Sequence, residues 1–183
     1  FGHVLSDEGI AFVSYNANPG GHVRMIMRDL LLHELTGITD FNEKIETARA
    51  ILKTLAEQDT EDNALKRTLA DQARSMLTRP SHVLFHDELG ECFYPQKFKD
   101  VVASAEANGL RFLSDAGRNR HLDGFLLGDQ VTDANAEQEV VHRVQTSDYV
   151  DLRFFRHTLF VRQAQKPVRR IDAVYDVYRV TSG

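Results

Sequence analysis

The sequence has few of the residues that crosslink a chain or anchor it in a membrane. Its 183 residues include one cysteine, Cys92, and no tryptophan. A single cysteine excludes an internal disulfide and the paired-cysteine zinc motifs, and it is typical of a reducing compartment, so we predict a cytoplasmic location. No apolar run approaches the roughly 20 residues that span a bilayer, and we therefore predict no membrane partner.

The sequence also lacks a strong excess of charge and the common catalytic motifs. Its 22 basic and 27 acidic residues give a net charge of −5, without a basic field that would hold nucleic acid, so we predict no nucleic-acid partner. Gly-x-Gly-x-x-Gly, P-loop and Gly-x-Ser-x-Gly motifs are absent, which removes the sequence signatures of dinucleotide, nucleotide and serine-hydrolase sites. The 42% hydrophobic content is that of a globular chain with a buried core.

The most informative local pattern lies between residues 9 and 20. A short apolar run ends at the polar pair Tyr15-Asn16, and the chain then breaks at Pro19-Gly20. This pattern predicts a buried strand, a turn and the start of a helix. Polar side chains at the carboxyl end of a strand in an open α/β sheet face the crevice where ligands bind, which makes these residues candidates for a binding site. The alternative is a plain turn that needs Asn and Gly for its dihedral angles.

Most of the remaining sequence has helical periodicity, and we predict a mainly helical α+β fold. Apolar residues recur three and four apart after Gly20, and the first stripe comprises Val23, Ile26, Met27, Leu30, Leu31 and Leu35. Asp40 followed by Glu43 is a capping box that starts the second helix. Further helices are predicted at 65–77, 84–89, from Pro95 onward and at 136–153.

Strands are predicted at four short segments that are apolar, aromatic or β-branched and lack helical spacing. These segments are 110–113, 125–127, 155–161 and 174–180. In the third of them Phe155, Leu159 and Val161 alternate with Arg156, Thr158 and Arg162, which predicts a half-exposed strand. Residues 114–135 have little periodicity, and we predict that they are mostly irregular.

A pair of histidines raises the question of a metal site. His82 and His86 stand four apart, so they share a face on a helix, and Glu88 is a nearby carboxylate. The order of the residues does not match the His-Glu-x-x-His motif of the metalloproteases. We therefore predict no metal, and we interpret His86 and Glu88 as polar residues of an interface or cleft. A metal-dependent enzyme is the least favoured alternative.

Two aromatic groups are candidates for contact with a partner. Phe93 and Tyr94 lie beside Pro95, where packing of a helix start against the core is the favoured interpretation. Phe155-Arg156 combines an aromatic and a cationic residue, which indicates a docking edge; a strand with one buried face is the alternative.

Four segments, taken in order, resemble the bacterial methyltransferase regulatory domain, which follows an S-adenosylmethionine-dependent catalytic domain in a longer chain. They are GIAFVSYNANPGGHVRMIMRDLLL (9–32), LFHDEL (84–89), FKDVVASAEANGLRFLSDA (98–116) and YVDLRFFRHTLFV (149–161). Gly21 is a departure, because many members of the family carry Trp after Pro-Gly. The strand before it looks like a late strand of a class I methyltransferase sheet, which in isolation would present unpaired backbone groups.

The resemblance implies a division into three parts. Residues 1–35 are the terminal strand and helix of the methyltransferase domain, residues 36–163 are the regulatory domain, and residues 164–183 are a linker towards a further domain. The lack of Met at position 1 fits a piece of a longer protein. Because no glycine-rich cofactor loop is present, we expect neither S-adenosylmethionine binding nor methyl transfer by this region alone.

The resemblance also implies the functional residues and the partners. Residues next to the cofactor or substrate are Tyr15, Asn16, Pro19, Gly20 and Arg24; interface or regulatory residues are Phe85, His86, Glu88, Tyr94, Phe155 and Arg156. The expected cofactor of the parent protein is S-adenosylmethionine. The expected partners are its methyltransferase domain, a protein substrate and a second copy of the chain. The alternative is an interaction or dimerisation module without influence on catalysis.

Overall fold

The computed structural model describes residues 4–59, 63–90, 92–116 and 136–165. They divide into two compact units. The first unit contains the residues up to Tyr15, Gln96–Asp151 and the residues from Phe155 onward, and the second contains Asn16–Pro95 and Leu152–Phe154. The fold is mainly helical α+β, as predicted. The strands predicted at 125–127 and 174–180 and most of the predicted irregular stretch lie outside the described residues.

The second unit is helical. Its elements are α1 (Gly21–Glu34), α2 (Phe41–Glu57), α3 (Ala64–Leu77) and α4 (Ser81–Val83), the last of which runs into a π-helical turn at Leu84–Glu88. Both long helices after α1 begin at a capped residue, because Asp40 accepts a hydrogen bond from the Glu43 backbone N–H at 2.9 Å and Asn63 accepts one from that of Lys66 at 3.0 Å.

One apolar core holds these helices together. Its buried residues come from α1, α2, α3 and the π-helical turn, and they are Met27, Leu31, Leu35, Ile45, Ala48, Leu52, Ala56, Ala73, Met76 and Leu84. Small residues on α2 and α3 allow the two helices to approach closely. None of the described helices is long and apolar enough to cross a membrane.

The buried face of α1 differs from the predicted apolar stripe. Ile26 is exposed, whereas Arg24 and Arg28 are buried beside Met27. Periodicity treats every arginine as a surface residue, but a guanidinium can be buried when its N–H groups find acceptors. Both arginines find them in this unit, as described below.

The first unit is a small sheet covered by helices on one face. Its strands are β1 (Ile10–Asn16), β2 (Leu110–Asp115) and β3 (Phe155–Arg162), and its helices are α5 (Phe98–Ala107) and α6 (Ala136–Val150). The strand order is β1-β3-β2, and β2 is antiparallel to β3 with a register shift between Phe112 and Ser114. The inner face packs on a core of Ala11, Phe98, Val102, Leu110, Phe112, Val140, Val144 and Phe160.

Three details of this unit differ from the predictions. β1 does not lack a partner, because β3 is hydrogen-bonded beside it. In β3 Arg156, Thr158 and Phe160 face inward, so two polar residues of the predicted alternation are buried. Arg156 and Thr158 form hydrogen bonds inside the unit. Their burial therefore does not carry the free-energy cost of an unpaired polar group, which is the reason that alternation normally places polar residues in water. Finally, α5 begins at Phe98 rather than at Pro95, since Lys97 is extended.

Candidate functional site

The second unit contains a buried cluster of charged residues around Glu88. Arg24 Nη2 donates to Glu88 Oε1 at 2.8 Å, and Arg79 Nη1 donates to the same oxygen at 2.5 Å. The second amino group of Arg24, Nη1, donates to Asn16 Oδ1 at 2.7 Å. Within the second unit one guanidinium of α1 therefore connects Asn16 to the π-helical turn.

Arg28 lies one turn after Arg24 and completes the cluster. It donates to the backbone carbonyls of Glu88 and Gly90, at the end of the π-helical turn where carbonyls lack partners within the helix. The Phe93 ring lies 5.0 Å from the guanidinium carbon of Arg24 and 5.7 Å from that of Arg28, within the range of cation–π attraction. We call Arg24, Arg28, Arg79, Glu88 and Phe93 the Glu88 cluster.

The Glu88 cluster contains three guanidinium groups and one carboxylate. Two of its buried atoms, Arg24 Nε and Glu88 Oε2, have no hydrogen-bond partner among the residues that the structure describes. An unsatisfied buried polar atom costs about 1–3 kcal/mol, and it marks a place where a water molecule or a polar ligand group could bind. The excess of positive charge favours an anionic or carbonyl-bearing group.

The turn before α1 is held by backbone contacts. The Ala17 N–H donates to the Phe154 carbonyl at 2.9 Å, and the Gly20 N–H donates to the Arg153 carbonyl at 2.9 Å. A Cβ added to Gly20 would lie 2.2 Å from the Leu152 carbonyl oxygen, so no other residue fits there without a backbone shift. The glycine is thus required by packing, which supports the plain-turn interpretation for this position.

Gly21, the departure from the family pattern, also has no room for a side chain. An added Cβ would lie 2.5 Å from Pro95 Cβ. The Asn18 side chain donates to the Pro95 carbonyl at 2.9 Å in the same region. In this chain Pro95 therefore occupies the space next to residue 21.

A second buried charged group lies in the first unit. Arg156 is paired with Asp148 through two hydrogen bonds, from Nε to Oδ2 at 2.8 Å and from Nη2 to Oδ1 at 2.7 Å. Its third group, Nη1, donates to Asp115 Oδ2 at 2.7 Å, and its guanidinium carbon lies 4.4 Å from the Phe98 ring centroid. One guanidinium thereby joins α6, β2 and β3, and we call these residues the Arg156 cluster.

Tyr15 lies beside the Arg156 cluster. Its hydroxyl is 3.2 Å from Thr158 Oγ1. Burial raises the pKa of Tyr15 to about 12, and the hydrogen bond to Thr158 and the charge of Arg156 offset this only in part. The phenol is therefore neutral at physiological pH and acts as a hydrogen-bonding group rather than a base.

The structure brings together only some of the residues selected from the sequence. Asn16, Arg24 and Glu88 meet in the second unit, and Tyr15 lies near Arg156 in the first. Glu88 and Arg156 are 0% and 1% exposed, so both side chains are buried in this chain. The physical reason is that each has buried partners of opposite charge. Their assignment to an interface stays a prediction.

The other selected residues do not join either cluster. The His86 side chain is 91% exposed and lies 3.5 Å from the exposed Asp87 carboxylate. Tyr94 is exposed, Phe155 is half-buried, and the half-buried Phe85 packs on Phe41 with a centroid distance of 4.7 Å. Within the described residues no group of three or more His, Cys, Asp or Glu side chains could hold a metal ion.

Four residues of the clusters escaped sequence analysis, namely Arg28, Arg79, Asp115 and Asp148. Arg28 could have been identified from the sequence, because it follows Arg24 by one helical turn and therefore lies on the same face of the helix. Arg79 lies 9 residues from Glu88, and Asp148 and Asp115 lie 8 and 41 residues from Arg156, none of them on the same element as its partner. No helical or strand spacing marks these three.

The family comparison agrees with the resemblance seen in the sequence. Residues 80–162 match the family described as "Predicted methyltransferase regulatory domain". Among curated proteins, the chain is 26% identical over 169 residues to the uncharacterized protein RP789 of Rickettsia prowazekii (strain Madrid E), which covers 92% of this chain and 31% of that protein. It is also 22% identical over 111 residues to the uncharacterized protein RP028 of the same organism, over 60% of this chain and 44% of that protein.

Solved structures extend the similarity to the fold. PKMT2 from Rickettsia typhi superposes with a TM-score of 0.72, and its complex with AdoHcy superposes with a TM-score of 0.74. Both are 26% identical and cover 92% of this chain and 32% of the PKMT2 chain. The chain therefore spans about a third of the length of these relatives. The resemblance seen in the sequence is confirmed, because residues 80–162 match the methyltransferase regulatory domain family.

Proposed function

We propose that this chain is the regulatory or substrate-contacting accessory region of an S-adenosylmethionine-dependent methyltransferase and is not catalytic by itself. The observation that carries the proposal is the family match over residues 80–162, which includes the π-helical turn and Arg156. The similarity over 92% of the chain to a PKMT2 structure in complex with AdoHcy supports S-adenosylmethionine as the cofactor of the longer protein. Its methyl acceptor in this proposal is a protein.

The Glu88 cluster supports a role for the residues near the start of α1. Arg24 donates a hydrogen bond to the side-chain oxygen of Asn16 and thereby restricts the rotation of its amide. A fixed amide next to the Pro19-Gly20 turn is suited to contact a cofactor or substrate held by the methyltransferase domain. We propose this position for Tyr15 through Gly20, with Arg24 as the residue that orients Asn16.

The alternative function is an interaction or dimerisation module without influence on methyl transfer. Tyr94, which is 76% exposed, and the exposed His86 are polar or amphipathic surface groups that fit either function. The cytoplasmic location and the division at residues 35 and 163 stay predictions.

Binding measurements test the proposal. We expect the 183-residue chain to bind AdoHcy no more tightly than the millimolar range, because it lacks a cofactor loop, and the longer polypeptide to bind it in the micromolar range. Micromolar binding by the chain alone would show that the cofactor site lies here.

A variant pair tests the proposed contact. In the longer polypeptide we expect Asn16→Ala to lower kcat/KM for methyl transfer at least tenfold, whereas Asn42→Ala, at an exposed position of α2, has no effect. Equal rates for both variants, together with full activity after deletion of this region, would favour the interaction module.

A further inference from the structure

Arg24 binds two partners with the two ends of one planar group. Its Nη1 donates to Asn16 Oδ1 at 2.7 Å, and its Nη2 donates to Glu88 Oε1 at 2.8 Å. The Phe93 ring lies 5.0 Å from the guanidinium carbon. Because a guanidinium is planar and rigid, the position of Nη1 follows once Nη2 and one face of the group are held. Asn16 and Glu88 are thus connected by one rigid group within the second unit.

Glu88 is also held by residues other than Arg24. Arg79 Nη1 donates to the same carboxylate oxygen at 2.5 Å, and Arg28 Nη1 donates to the Glu88 backbone carbonyl at 2.5 Å. The Glu88 side chain is 0% exposed, so these hydrogen bonds are stronger than they would be in water. Single π-helical turns such as the one that contains Glu88 are rare and occur often at functional sites. Glu88 is therefore the fixed end of the connection.

Asn16 is the end of the connection that can rotate. Its side chain is half-buried, and an amide has an oxygen and a nitrogen that exchange places when it flips. A guanidinium carries donors and no acceptor, so it binds the oxygen and disfavours the flipped amide. The orientation of the Asn16 amide therefore depends on where Arg24 places Nη1.

We propose that Glu88 is a positioning residue, which fixes the amide of Asn16 by holding Arg24. This inference rests on the proposed function, in which Asn16 contacts a cofactor or substrate held by the methyltransferase domain. Glu88 lies within residues 80–162, which match the regulatory family, whereas Arg24 and Asn16 lie before them. Arg24 is thereby the link through which the regulatory segment acts on the contact at Asn16.

Nuclear magnetic resonance relaxation of the wild-type 183-residue chain tests the positioning without any substitution. We expect the side-chain amide of Asn16 to have an order parameter above about 0.8, and that of the exposed Asn42 in α2 to lie below about 0.6. The difference arises because only the first amide is held by a buried guanidinium. An Asn16 amide as mobile as that of Asn42 would overturn the proposal.

Two substitutions that change the reach of a side chain test which residue sets the orientation. Glu88→Asp keeps the charge but is shorter by one methylene group, and Arg24→Lys replaces the two-ended fork by a single ammonium group. We expect either change to lower the Asn16 order parameter below about 0.6. The control Asp87→Glu, at an exposed position of the same turn, should leave it unchanged.

The outcome for Glu88→Asp decides whether Glu88 has this role. An Asn16 amide that stays ordered in the folded variant would overturn the proposal. Circular dichroism checks the folding of each variant. If both substitutions unfold the chain, the order parameter of the wild type decides.

A double-mutant cycle in the longer polypeptide separates positioning from a general effect on stability. Glu88→Asp should lower kcat/KM for methyl transfer at least about fivefold in the wild type but less than about twofold in the Asn16→Ala background, because the amide that it positions is then missing. Equal fold-changes in both backgrounds would show that Glu88 acts independently of Asn16 and would overturn the proposal.

The outcomes separate this inference from the function on which it rests. If Asn16→Ala leaves kcat/KM for methyl transfer unchanged, the proposed contact at Asn16 is refuted, and the order parameters of the 183-residue chain then decide the positioning role alone. If Asn16→Ala lowers kcat/KM but the Asn16 amide is mobile in the wild type, only the positioning role of Glu88 is refuted.

Discussion

Arg24 and Glu88 form a buried ion pair across 64 residues of sequence, with Nη2 of the arginine 2.8 Å from Oε1 of the glutamate. Their side chains are 7% and 0% exposed. A charge at this depth is tolerated only when its partner is in place, because removal of one partner leaves the other uncompensated in a medium of low polarity. The pair therefore ties the first helix of the second unit to its π-helical turn.

The first prediction concerns the contribution of this ion pair to the stability of the folded chain. Glu88→Ala should lower the free energy of unfolding by about 3–5 kcal/mol, because Arg24 would then be buried without a carboxylate. The control His86→Ala, two residues away on the surface, should change it by less than about 0.5 kcal/mol. Urea unfolding followed by circular dichroism measures both. A small effect of Glu88→Ala would show that the buried ion pair contributes little to stability.

The second prediction concerns the geometry around Arg156. Arg156→Met should cost about 3–5 kcal/mol, since Asp148 and Asp115 would lose their cation. Arg156→Lys should be intermediate, because an ammonium keeps the charge but cannot form the paired contact with Asp148. The control is Arg143→Met in α6, where the surface pair with Glu139 contributes about 0–1 kcal/mol. If lysine restores full stability, charge alone matters at this position.

The third prediction concerns alkaline pH. The pKa of Tyr15 is near 10 when unfolded and about 12 when folded, because burial disfavours the phenolate. The folded state thus holds this proton more tightly. The resulting stabilisation is complete below pH 10 and is lost as the pH rises from 10 towards 12.

Ultraviolet absorbance of the phenolate follows this titration. We expect a last ionisation step near pH 12, or coupled to unfolding, that is missing in Tyr15→Phe. The control Tyr149→Phe, at an exposed position of α6, should retain the late step. A late step that survives Tyr15→Phe would assign it to a different tyrosine.

The fourth prediction concerns the turn before α1. Gly20→Ala should destabilise the chain by more than about 2 kcal/mol, because its Cβ would overlap the backbone of Leu152 and Arg153. Gly37→Ala is the matched control: no atom lies within 4 Å of its Cβ, but its φ of +86° costs an alanine about 1 kcal/mol. Thermal unfolding ranks the two, and equal effects would show that the turn can move away from Leu152.

The sequence by itself determined the helices, the cap at Asp40 and the family. These features depend on local spacing, on the hydrogen-bonding capacity of one side chain and on short ordered motifs, all of which can be read along the chain. The edge strand Leu110–Asp115 was predicted in part, as 110–113, because a short apolar and aromatic segment follows a helix that closes at Gly109, where φ is +73°.

Only the tertiary structure decided which face of α1 and of β3 is buried. A periodicity argument places Arg24 and Arg156 at the surface, yet both are buried, because acceptors on other elements, Glu88 for Arg24 and Asp148 and Asp115 for Arg156, bind their guanidinium groups. The same holds for β1, whose partner β3 lies more than 130 residues further along the chain. The spacing of hydrophobic residues predicts which side chains gain free energy by leaving water. Whether a charged side chain can be buried depends instead on its partners, which no local pattern specifies.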